Sequence, residues 1–451
     1  MRRDCLKPPW QALTYNRPMS KSRPALAATL YTGVWALSLP LVMARLWWKG
    51  RKQPEYRHHL GERFGRYPGG ALDASLWLHA VSVGETRAAA PLVRALRQHY
   101  PALPLIITHM TPTGRATGEA LYGTNDPMIR SVYLPYDLRR LHHRFLAHFR
   151  PLCGTIMETE VWPNLLAQCE AQGVATALVN ARLSARSAKR YDTMGAMSRA
   201  AFGRFTRIGA QSDADAARIR SLGAHSVCVT GNIKFDNHPD TSQVALGQSF
   251  RRGIGQRKVV LAASTREGEE APLLEAAASL ISAGALLVIV PRHPQRFDDV
   301  ARLAEQAGYR VGRRSRSAGP GADDQIWIGD SMGEMTAYYA LADLTLMGGT
   351  WLPLGGQNFI ECCAVGTPVL LGPSVFNFAQ AAEQALACGA GRQCADLTEA
   401  TALAASLLDN TDALARMGTA GQSFAAAHGG ATDRTMVLLT PLIDKALAGR
   451  A

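Results

Sequence analysis

From residue 75 onward, short apolar runs alternate with stretches of helical periodicity. The runs are rich in Val, Ile and Leu, as expected of strands that are buried on both faces. The alternation therefore predicts an α/β fold, with a parallel sheet covered by helices on each side. The strands predicted in the first half are 75–80, 104–109, 130–134, 153–158, 174–180, 206–211 and 226–230, and the helices are 86–99, 138–149, 161–171, 186–203 and 213–222.

A polar stretch at 235–249, FDNHPDTSQVALGQS, interrupts this rhythm and marks a domain boundary. The alternation then restarts, and a helical stretch begins at about residue 398. A chain of 451 residues is too long to fold around a single hydrophobic core. We therefore expect two Rossmann-like domains, 51–235 and 236–451, after an N-terminal segment 1–50. The five strands predicted in the second domain are KVVLAAS, ALLVIVP, DQIWIGD, DLTLMGG and TPVLLGP.

The N-terminal segment contains 21 residues without a charge, at 24–44. About 20 apolar residues are enough to cross a bilayer, and Trp47 and Trp48 follow at the expected interface. The run fits an uncleaved signal anchor or a monotopic helix that lies among the headgroups, and the alternative is a buried N-terminal helix. We expect no cleaved signal, and Met19 is an alternative start to Met1.

The net charge of +13 is concentrated in residues 1–70, which hold 13 Lys or Arg and 3 acids, a net +10. The excess lies beside the apolar run rather than along a folded domain, so it predicts anionic lipid and not nucleic acid as the partner. Basic residues after the run favour a protein body on the cytoplasmic side. The eight cysteines form no C-x-x-C pair, which fits a reducing compartment without disulfides or a zinc site.

Four loops of the second domain have the composition of phosphate-binding loops. They contain Ser264 and Thr265, Arg292, a helix start near Ser331, and a glycine-rich stretch with a helix start at Asn358. Such helix starts and glycines bind anions through backbone N–H groups without a metal. Taken singly, each loop can also be explained by local structure. In the last one, for example, Asn358 and Glu361 form a capping-box pattern. A P-loop and a well-placed G-x-G-x-x-G are absent, which disfavours ATP hydrolysis and dinucleotide chemistry.

The strand ends of the first domain carry hydroxyls, carboxylates and guanidinium groups, which suit a polyhydroxylated acidic substrate. Glu85 is either a helix-start acid or a general base, and the helix dipole favours its ionised form. Glu158 and Glu160 lie on opposite faces if their strand continues. The other candidates are Ser82, Gly84, Arg182, Ser184, Arg186 and, at the boundary, Lys234. Together with the anchor, these features indicate a GT-B glycosyltransferase, two Rossmann-like domains facing across a cleft, with a nucleotide-sugar donor and a lipid acceptor.

Ten motifs, in this order and spacing, resemble the 3-deoxy-D-manno-octulosonic acid (Kdo) transferases of lipopolysaccharide assembly. The similarity covers nearly all of the chain, and NARLSARSA and METEVWPN are long enough to be specific. The motifs are HAVSVGET, TPTGRATGEAL, LPYDL, METEVWPN, NARLSARSAKRY, GNIKFD, STREGEE, PRHPQRF, GDSMGEM and GGQNFIE.

The resemblance implies an inverting, metal-independent transfer of Kdo from CMP-Kdo to the tetraacylated lipid A precursor, without a cofactor, at the cytoplasmic face of the inner membrane. It implies that the first domain binds the acceptor and that the second binds the CMP-sugar. Glu85 matches the general base, and Glu158 and Lys234 match positions that stabilise the transition state. CMP is expected on Pro291, Arg292, Met332, Gly333, Glu334, Asn358, Phe359, Ile360 and Glu361. Kdo or the acceptor is expected on Ser82, Gly84, Arg182, Ser184, Arg186, Ser264 and Thr265.

Gln357 stands where this family usually has His, and an amide cannot titrate, so a charged role at that position is not expected here. Two alternatives remain open. One is a GT-B transferase that uses a UDP-sugar on a lipid-linked acceptor, and the other is a membrane-tethered nucleotide-binding regulator without catalysis.

Overall fold

The structure, a computed structural model, describes residues 22–236 and 239–450. The predictions for residues 1–21, including the start at Met19, lie outside these ranges. By their internal contacts the described residues form two compact units. The first unit comprises the residues up to Arg87, Leu96–Thr230 and those from Thr435 onward, and the second comprises Ala88–Ala95 and Gly231–Arg434.

The first unit contains a seven-stranded parallel sheet of order β3-β2-β1-β4-β5-β6-β7. All seven strands were predicted to within two residues, because most of them are largely apolar runs. Its strands are β1 Ser75–His79, β2 Leu105–His109, β3 Ile129–Tyr133, β4 Pro151–Met157, β5 Ala175–Ala181, β6 Arg207–Ala210 and β7 Val227–Val229.

Helices follow the strands of this sheet, and two of the predicted helices are each divided into two. Residues 186–203 break at Gly195, whose φ of 54° a helix cannot contain. The helices up to β7 are α1 Ser22–Lys52, α2 Val83–Ala88, α3 Ala90–His99, α4 Pro112–Gly118, α5 Arg139–Phe149, α6 Pro163–Ala171, α7 Ala185–Thr193, α8 Ala196–Gly203 and α9 Asp213–Ser221.

The second unit has its own seven-stranded parallel sheet, of order β10-β11-β9-β8-β12-β13-β14. The sequence predicted five of these strands and missed the two edge strands, β10 and β14. The strands are β8 Val259–Thr265, β9 Leu286–Pro291, β10 Val311–Arg313, β11 Ile326–Ile328, β12 Leu344–Met347, β13 Val369–Leu371 and β14 Gly391–Gln393.

The helices that complete the described chain are α10 Thr241–Ile254, α11 Glu270–Ala276, α12 Ala278–Ser282, α13 Phe297–Gln306, α14 Met335–Leu341, α15 Ile360–Val365, α16 Ala379–Ala387, α17 Leu397–Leu408, α18 Thr411–His428 and α19 Ala431–Ala448.

Along β8 the side chains alternate between two cores. Val259 and Leu261 pack on one face of the sheet, and Val260 and Ala262 pack on the other. Burial on both faces is why β8 reads as a continuous apolar run.

Among the described residues, α1 is the one helix that is long and apolar enough to cross a membrane. Its inner face contacts the first unit. Thr32 Oγ1 donates to Asn164 Oδ1 at 3.0 Å, and the Trp35 ring lies 6.1 Å from that of Tyr136. The opposite face is exposed, which excludes the buried-helix alternative. It includes Leu30, Val34, Leu37 and Leu41.

In each sheet the strand order reverses beside the first strand, between β1 and β4 in the first sheet and between β8 and β12 in the second. At such a reversal the loops leave the two strands in opposite directions, and the crevice beyond the strand ends is where open α/β sheets bind ligands. The loops after β1, β4, β8 and β12 are therefore the positions to inspect for chemistry.

Candidate functional site

Three acids follow the two strands that flank the reversal in the first sheet. Glu85 comes after β1, and Glu158 and Glu160 come after β4. They are close enough for the charges of Glu158 and Glu160 to raise the pKa of Glu85. The structure thus brings together two of the predicted catalytic acids, and it adds Glu160 to the same cluster.

The Glu85 carboxylate is held by the turn that precedes it. Its Oε2 accepts the N–H of Val81 at 2.6 Å, and Ser82 Oγ lies 3.4 Å from Oε1. Burial, and after it the charge of Glu158, raises the pKa of Glu85 to about 7 against the lowering effect of the Val81 N–H. The dipole argument predicted the opposite direction, but α2 has only six residues and desolvation dominates. A carboxyl group with this pKa is suited to proton transfer near neutral pH.

Glu158 has a backbone conformation that is unusual for a residue with a side chain. Strand β4 ends at Met157, and Glu158 has a φ of 57°, in the left-handed region. Its N–H still donates to the Val179 carbonyl at 3.0 Å. Because the strand does not continue, the expectation that Glu158 and Glu160 occupy opposite faces does not apply. Strained backbone of this kind persists only where surrounding structure enforces it, and it is common at functional sites.

Glu160 is a second carboxyl group with a raised pKa, mainly because it is buried. It accepts a hydrogen bond from Trp162 Nε1 at 2.7 Å, which partly offsets that effect. The indole contact fixes the carboxylate in place, so Glu160 contributes a positioned negative charge to the cluster.

The candidate residues after β5 have different environments. Arg182 and Glu158 both line a cavity of about 10 Å³, the size of one water molecule. Ser184 caps α7, since its Oγ accepts the N–H of Ser187 at 3.1 Å. Arg186 is exposed on the same helix. The structure therefore places Arg182 on the same cavity as Glu158 and gives Ser184 a structural role.

Two small residues shape the turn before Glu85. Ser82 Oγ lies 3.4 Å from the Glu85 backbone N and accepts its N–H. Gly84 is exposed, and a Cβ there would have only Ser82 Oγ within 4 Å, at 3.9 Å. The backbone at Gly84 therefore has no close side-chain or backbone contact beyond its chain neighbours.

In the second unit, Arg292 follows β9, whose last residue is Pro291. Its N–H donates to the Thr265 carbonyl at 2.9 Å, and its Nε donates to Gln357 Oε1 at 3.2 Å. Gln357 therefore accepts a hydrogen bond from this guanidinium group.

The loop with Met332, Gly333 and Glu334 differs from its prediction, because the helix begins at Met335 and not near Ser331. Glu334 accepts two hydrogen bonds from the Arg314 guanidinium, both at 2.9 Å, and one from Ser331 Oγ at 2.6 Å. Met332 is exposed. Arg314 was not predicted, since it lies in a basic run without a distinctive pattern, yet it holds this loop in place.

The predicted helix start at Asn358 is early as well, by two residues, because α15 begins at Ile360. Asn358 Oδ1 accepts the Ile360 N–H at 3.2 Å, and its Nδ2 donates to Glu361 Oε1 at 3.0 Å. The side chains of Phe359 and Ile360 are buried. Asn358 and Glu361 therefore bond to each other, but they do not form the predicted capping box, because Phe359 is the N-cap of α15 and no side chain caps it. Phe359 and Ile360 can reach a ligand only through their backbone.

Ser264 and Thr265 are the last two residues of β8. Thr265 is buried, and its Oγ1 donates to Glu270 at 3.1 Å. Ser264 has a φ of 57°. The acid that dominates this region is Glu269, which accepts backbone N–H groups from Arg266, Gly349 and Trp351. Sequence reasoning did not predict this contact, because Gly349 is 80 residues away in the chain.

Lys234 lies on a short 3₁₀-helix, Ile233–Asp236, at the start of the second unit. Its ammonium group is 5.4 Å from the centre of the Phe378 ring, and its N–H donates to Asn232 Oδ1 at 3.0 Å. The side chain is half-buried, so a cation is held in a defined place by an aromatic face.

Within 22–236 and 239–450, no group of three or more His, Cys, Asp or Glu side chains is arranged to hold a metal ion. The described cysteines are all free thiols, and most are buried.

Comparison with known proteins identifies the family. A family profile described as 3-deoxy-D-manno-octulosonic-acid transferase (kdotransferase) matches residues 58–237. A 3-deoxy-D-manno-octulosonic acid transferase of Bordetella pertussis is 43% identical over 90% of this chain and 97% of its own length. One from Haemophilus influenzae is 34% identical over 92% and 98%. The chain belongs to the Kdo transferase family.

Solved structures identify the fold of this transferase. A glycosyltransferase of Rickettsia africae aligns with a TM-score of 0.55 and 11% identity, over 83% of this chain and 99% of its own. MurG of Acinetobacter baumannii aligns with a TM-score of 0.51 and 14% identity, over 82% and 100%. At these identities the likeness concerns the fold alone. Together with the two parallel sheets, it confirms the predicted GT-B fold, and the family confirms a glycosyltransferase enzyme.

Proposed function

We propose that this transferase moves Kdo from CMP-Kdo to a hydroxyl group of the tetraacylated lipid A precursor, a step of lipopolysaccharide biosynthesis. The observation that carries the proposal is the Glu85 carboxyl group, positioned after β1 at the strand reversal with a pKa raised to about 7. A group that is half ionised near neutral pH both accepts a proton efficiently and is present in its basic form.

In the proposed reaction, Glu85 accepts the proton of the acceptor hydroxyl. The acceptor oxygen forms a bond to C2 of Kdo, while the bond from C2 to the phosphate oxygen breaks and its electron pair leaves with CMP. Attack opposite the leaving group inverts the configuration at C2. Glu158 and Lys234 are proposed to stabilise the charge that develops in the transition state.

The CMP group is proposed to bind the second unit, where the predicted residues follow β9, β11 and β12. Arg292 is the cation proposed for the phosphate, because Gln357 already orients its guanidinium group. The CMP contacts at Glu334, Phe359 and Ile360 are proposed to use backbone groups, since the Glu334 carboxylate is bound by Arg314 and the other two side chains are buried. The remaining proposed contacts are Pro291, Met332, Gly333, Asn358 and Glu361.

Kdo and the acceptor sugar are proposed to bind near the acids of the first unit. Arg182 is the strongest candidate, because it lies beside Glu158, and a guanidinium group suits the carboxylate of Kdo. Ser82, Gly84 and Arg186 are also exposed enough to make contacts. Ser184, Ser264 and Thr265 remain weaker proposals, because Ser184 caps a helix and the Thr265 hydroxyl is bonded to Glu270.

The transferase is proposed to lie on the cytoplasmic face of the inner membrane. Side chains of α1 contact the first unit at Thr32 and Trp35, and Arg57 donates to the Trp47 carbonyl at 2.9 Å. A helix held by protein along much of its length has one face left for lipid. This favours the monotopic arrangement over a spanning helix, with anionic lipid attracted by the basic residues around it.

The test is CMP release from CMP-Kdo with the tetraacyl lipid A precursor in detergent, with chelator and no added metal. We expect wild-type turnover, and a loss of about a hundredfold or more in Glu85→Gln with CMP binding unchanged. The mass of the product counts the sugars transferred. Turnover with a UDP-sugar instead, or binding of CMP without turnover, would replace the proposal by one of the two alternatives.

A further inference from the structure

A buried carboxylate, Glu269, bridges the two loops that flank the strand reversal in the second sheet. Glu269 is only 2% exposed. It accepts the N–H of Arg266 at 2.9 Å from the loop after β8. From the loop after β12, it accepts the N–H of Gly349 at 2.9 and 2.8 Å and that of Trp351 at 3.2 Å. A carboxylate with this many donors is a fixed point between β8 and β12.

The contacts continue from Gly349 to Arg292. The Gly349 carbonyl accepts the N–H of Gly356 at 2.8 Å, which closes the loop on itself. The side chain of Gln357 packs on Gly349, since a Cβ added there would lie 3.1 Å from Gln357 Nε2. Gln357 Oε1 then accepts from Arg292 Nε. A continuous set of bonds and contacts therefore joins Glu269 to the guanidinium group proposed for the phosphate.

Glu269 also changes what this glycine-rich loop can bind. The N–H groups of Gly349 and Trp351 would be free to bind a phosphate if no acid occupied them. Glu269 accepts both, so these two donors are already used within the protein. A donor phosphate at this reversal is left to a side-chain cation.

We propose that Glu269 is a positioning residue for the donor phosphate, which fixes the loop from Gly348 to Gln357 so that Gln357 aims the Arg292 guanidinium group. The proposal rests on the proposed function, since it assumes that CMP binds through Arg292. Glu269 touches neither CMP nor Kdo in this account, and it acts through Arg292. Its removal therefore weakens CMP binding only while Arg292 is present.

The experiment is calorimetric titration of CMP into the full-length protein in detergent, for wild type, Glu269→Gln, Arg292→Ala and the double variant. We expect Glu269→Gln to weaken CMP binding about tenfold, because an amide cannot accept all of these N–H groups. In the Arg292→Ala background the same change should have less than a twofold effect. Glu275→Gln is the matched control, an exposed acid on α11, and should bind as wild type does.

Glu269→Asp keeps the charge but is one methylene shorter, and it serves if Glu269→Gln does not fold. It should weaken CMP binding at least threefold. Wild-type affinity in a folded Glu269 variant, or an equal loss with and without Arg292, overturns the positioning role while the proposed function stands. Failure of wild type to bind CMP overturns both.

Discussion

At the residue scale, the pKa of Glu85 determines the pH range in which the proposed base works. Below its pKa of about 7 the carboxyl group is mostly protonated and cannot accept a proton. We expect kcat/KM to rise about tenfold per pH unit up to about pH 7 and to level off above it, since kcat/KM reports the free enzyme. A pH profile of initial rates measures this.

The charge of Glu158 provides a test of the same site. Its contribution raises the pKa of Glu85, so Glu158→Gln should move the inflection of the profile to lower pH, whatever it does to the maximum rate. Glu170→Gln, an exposed acid on α6, is the control and should leave the inflection in place. An unchanged inflection in Glu158→Gln would show that another group controls the profile.

Glu85 should also make the protein less stable as the pH rises. Its pKa is raised from 4.5 to about 7 on folding, so between these values the native state binds more protons than the unfolded state, and the free energy of unfolding falls with increasing pH. Above about pH 7 the full cost is present. We expect Glu85→Gln to gain roughly 2–3 kcal/mol relative to wild type between pH 4.5 and pH 8.

Urea denaturation of wild type and Glu85→Gln at pH 4.5 and pH 8 measures this difference. The amide does not titrate, so other groups contribute equally to both proteins and cancel. A stability difference that is the same at both pH values would mean that Glu85 is not desolvated in the folded protein.

At the element scale, the junction of β8 and β12 depends on Gly348. A Cβ at this position would lie 2.8 Å from the Ala263 carbonyl oxygen and would also meet the Ser264 carbonyl. We expect Gly348→Ala to lower the free energy of unfolding by about 1–3 kcal/mol, because the two strands must separate. It should also weaken CMP binding, since the Glu269 contacts lie beside it.

Gly253→Ala in α10 is the matched control. A Cβ there meets nothing within 4 Å, so alanine should be neutral or slightly stabilising. Thermal unfolding of both variants gives the comparison. Equal melting temperatures would mean that the ends of β8 and β12 separate easily, and that the reversal in this sheet is not rigid.

The elements that sequence reasoning missed are those with weak apolar patterns. Strands β10 and β14 are three residues long, read VGR and GRQ, and lie at the two edges of the second sheet. They exist because a neighbouring strand offers hydrogen bonds, and the sequence does not show which neighbour that is. The helix starts at Ser331 and Asn358 were placed early, because both side chains bond locally instead of capping the helix.

At the scale of the whole molecule, α1 and the surrounding charge should determine membrane association. The exposed face of α1 includes Leu37, 82% exposed, and Leu41, 74% exposed. We expect Leu37→Asn/Leu41→Asn to weaken binding to anionic vesicles more than tenfold, because two large apolar side chains no longer enter the lipid. Vesicle co-sedimentation measures the affinity.

Val437→Asn on α19, also exposed, is the control and should bind vesicles as wild type does. Wild type should prefer anionic over zwitterionic vesicles, and salt should weaken but not abolish its binding, since the basic residues are screened and the apolar face is not. Binding that is insensitive to the leucine changes would exclude the monotopic arrangement proposed for α1.

The sequence by itself determined the two parallel α/β sheets, the apolar N-terminal helix and the residues at the strand ends, including Glu85, Glu158 and Arg292. These follow from local patterns, since a strand buried on both faces must be apolar and its polar residues come where it ends. Ten motifs were enough to give the family.

Only the tertiary structure decided the properties that depend on distant neighbours. Burial and the charge of Glu158 set the pKa of Glu85, against the local dipole argument. Gly349, which donates to Glu269, is 80 residues away, and Gln357, which accepts from the Arg292 guanidinium group, is 65 residues away. Desolvation and hydrogen bonding act through space, so a pattern along the chain locates the charged groups, while the fold sets their protonation and their partners.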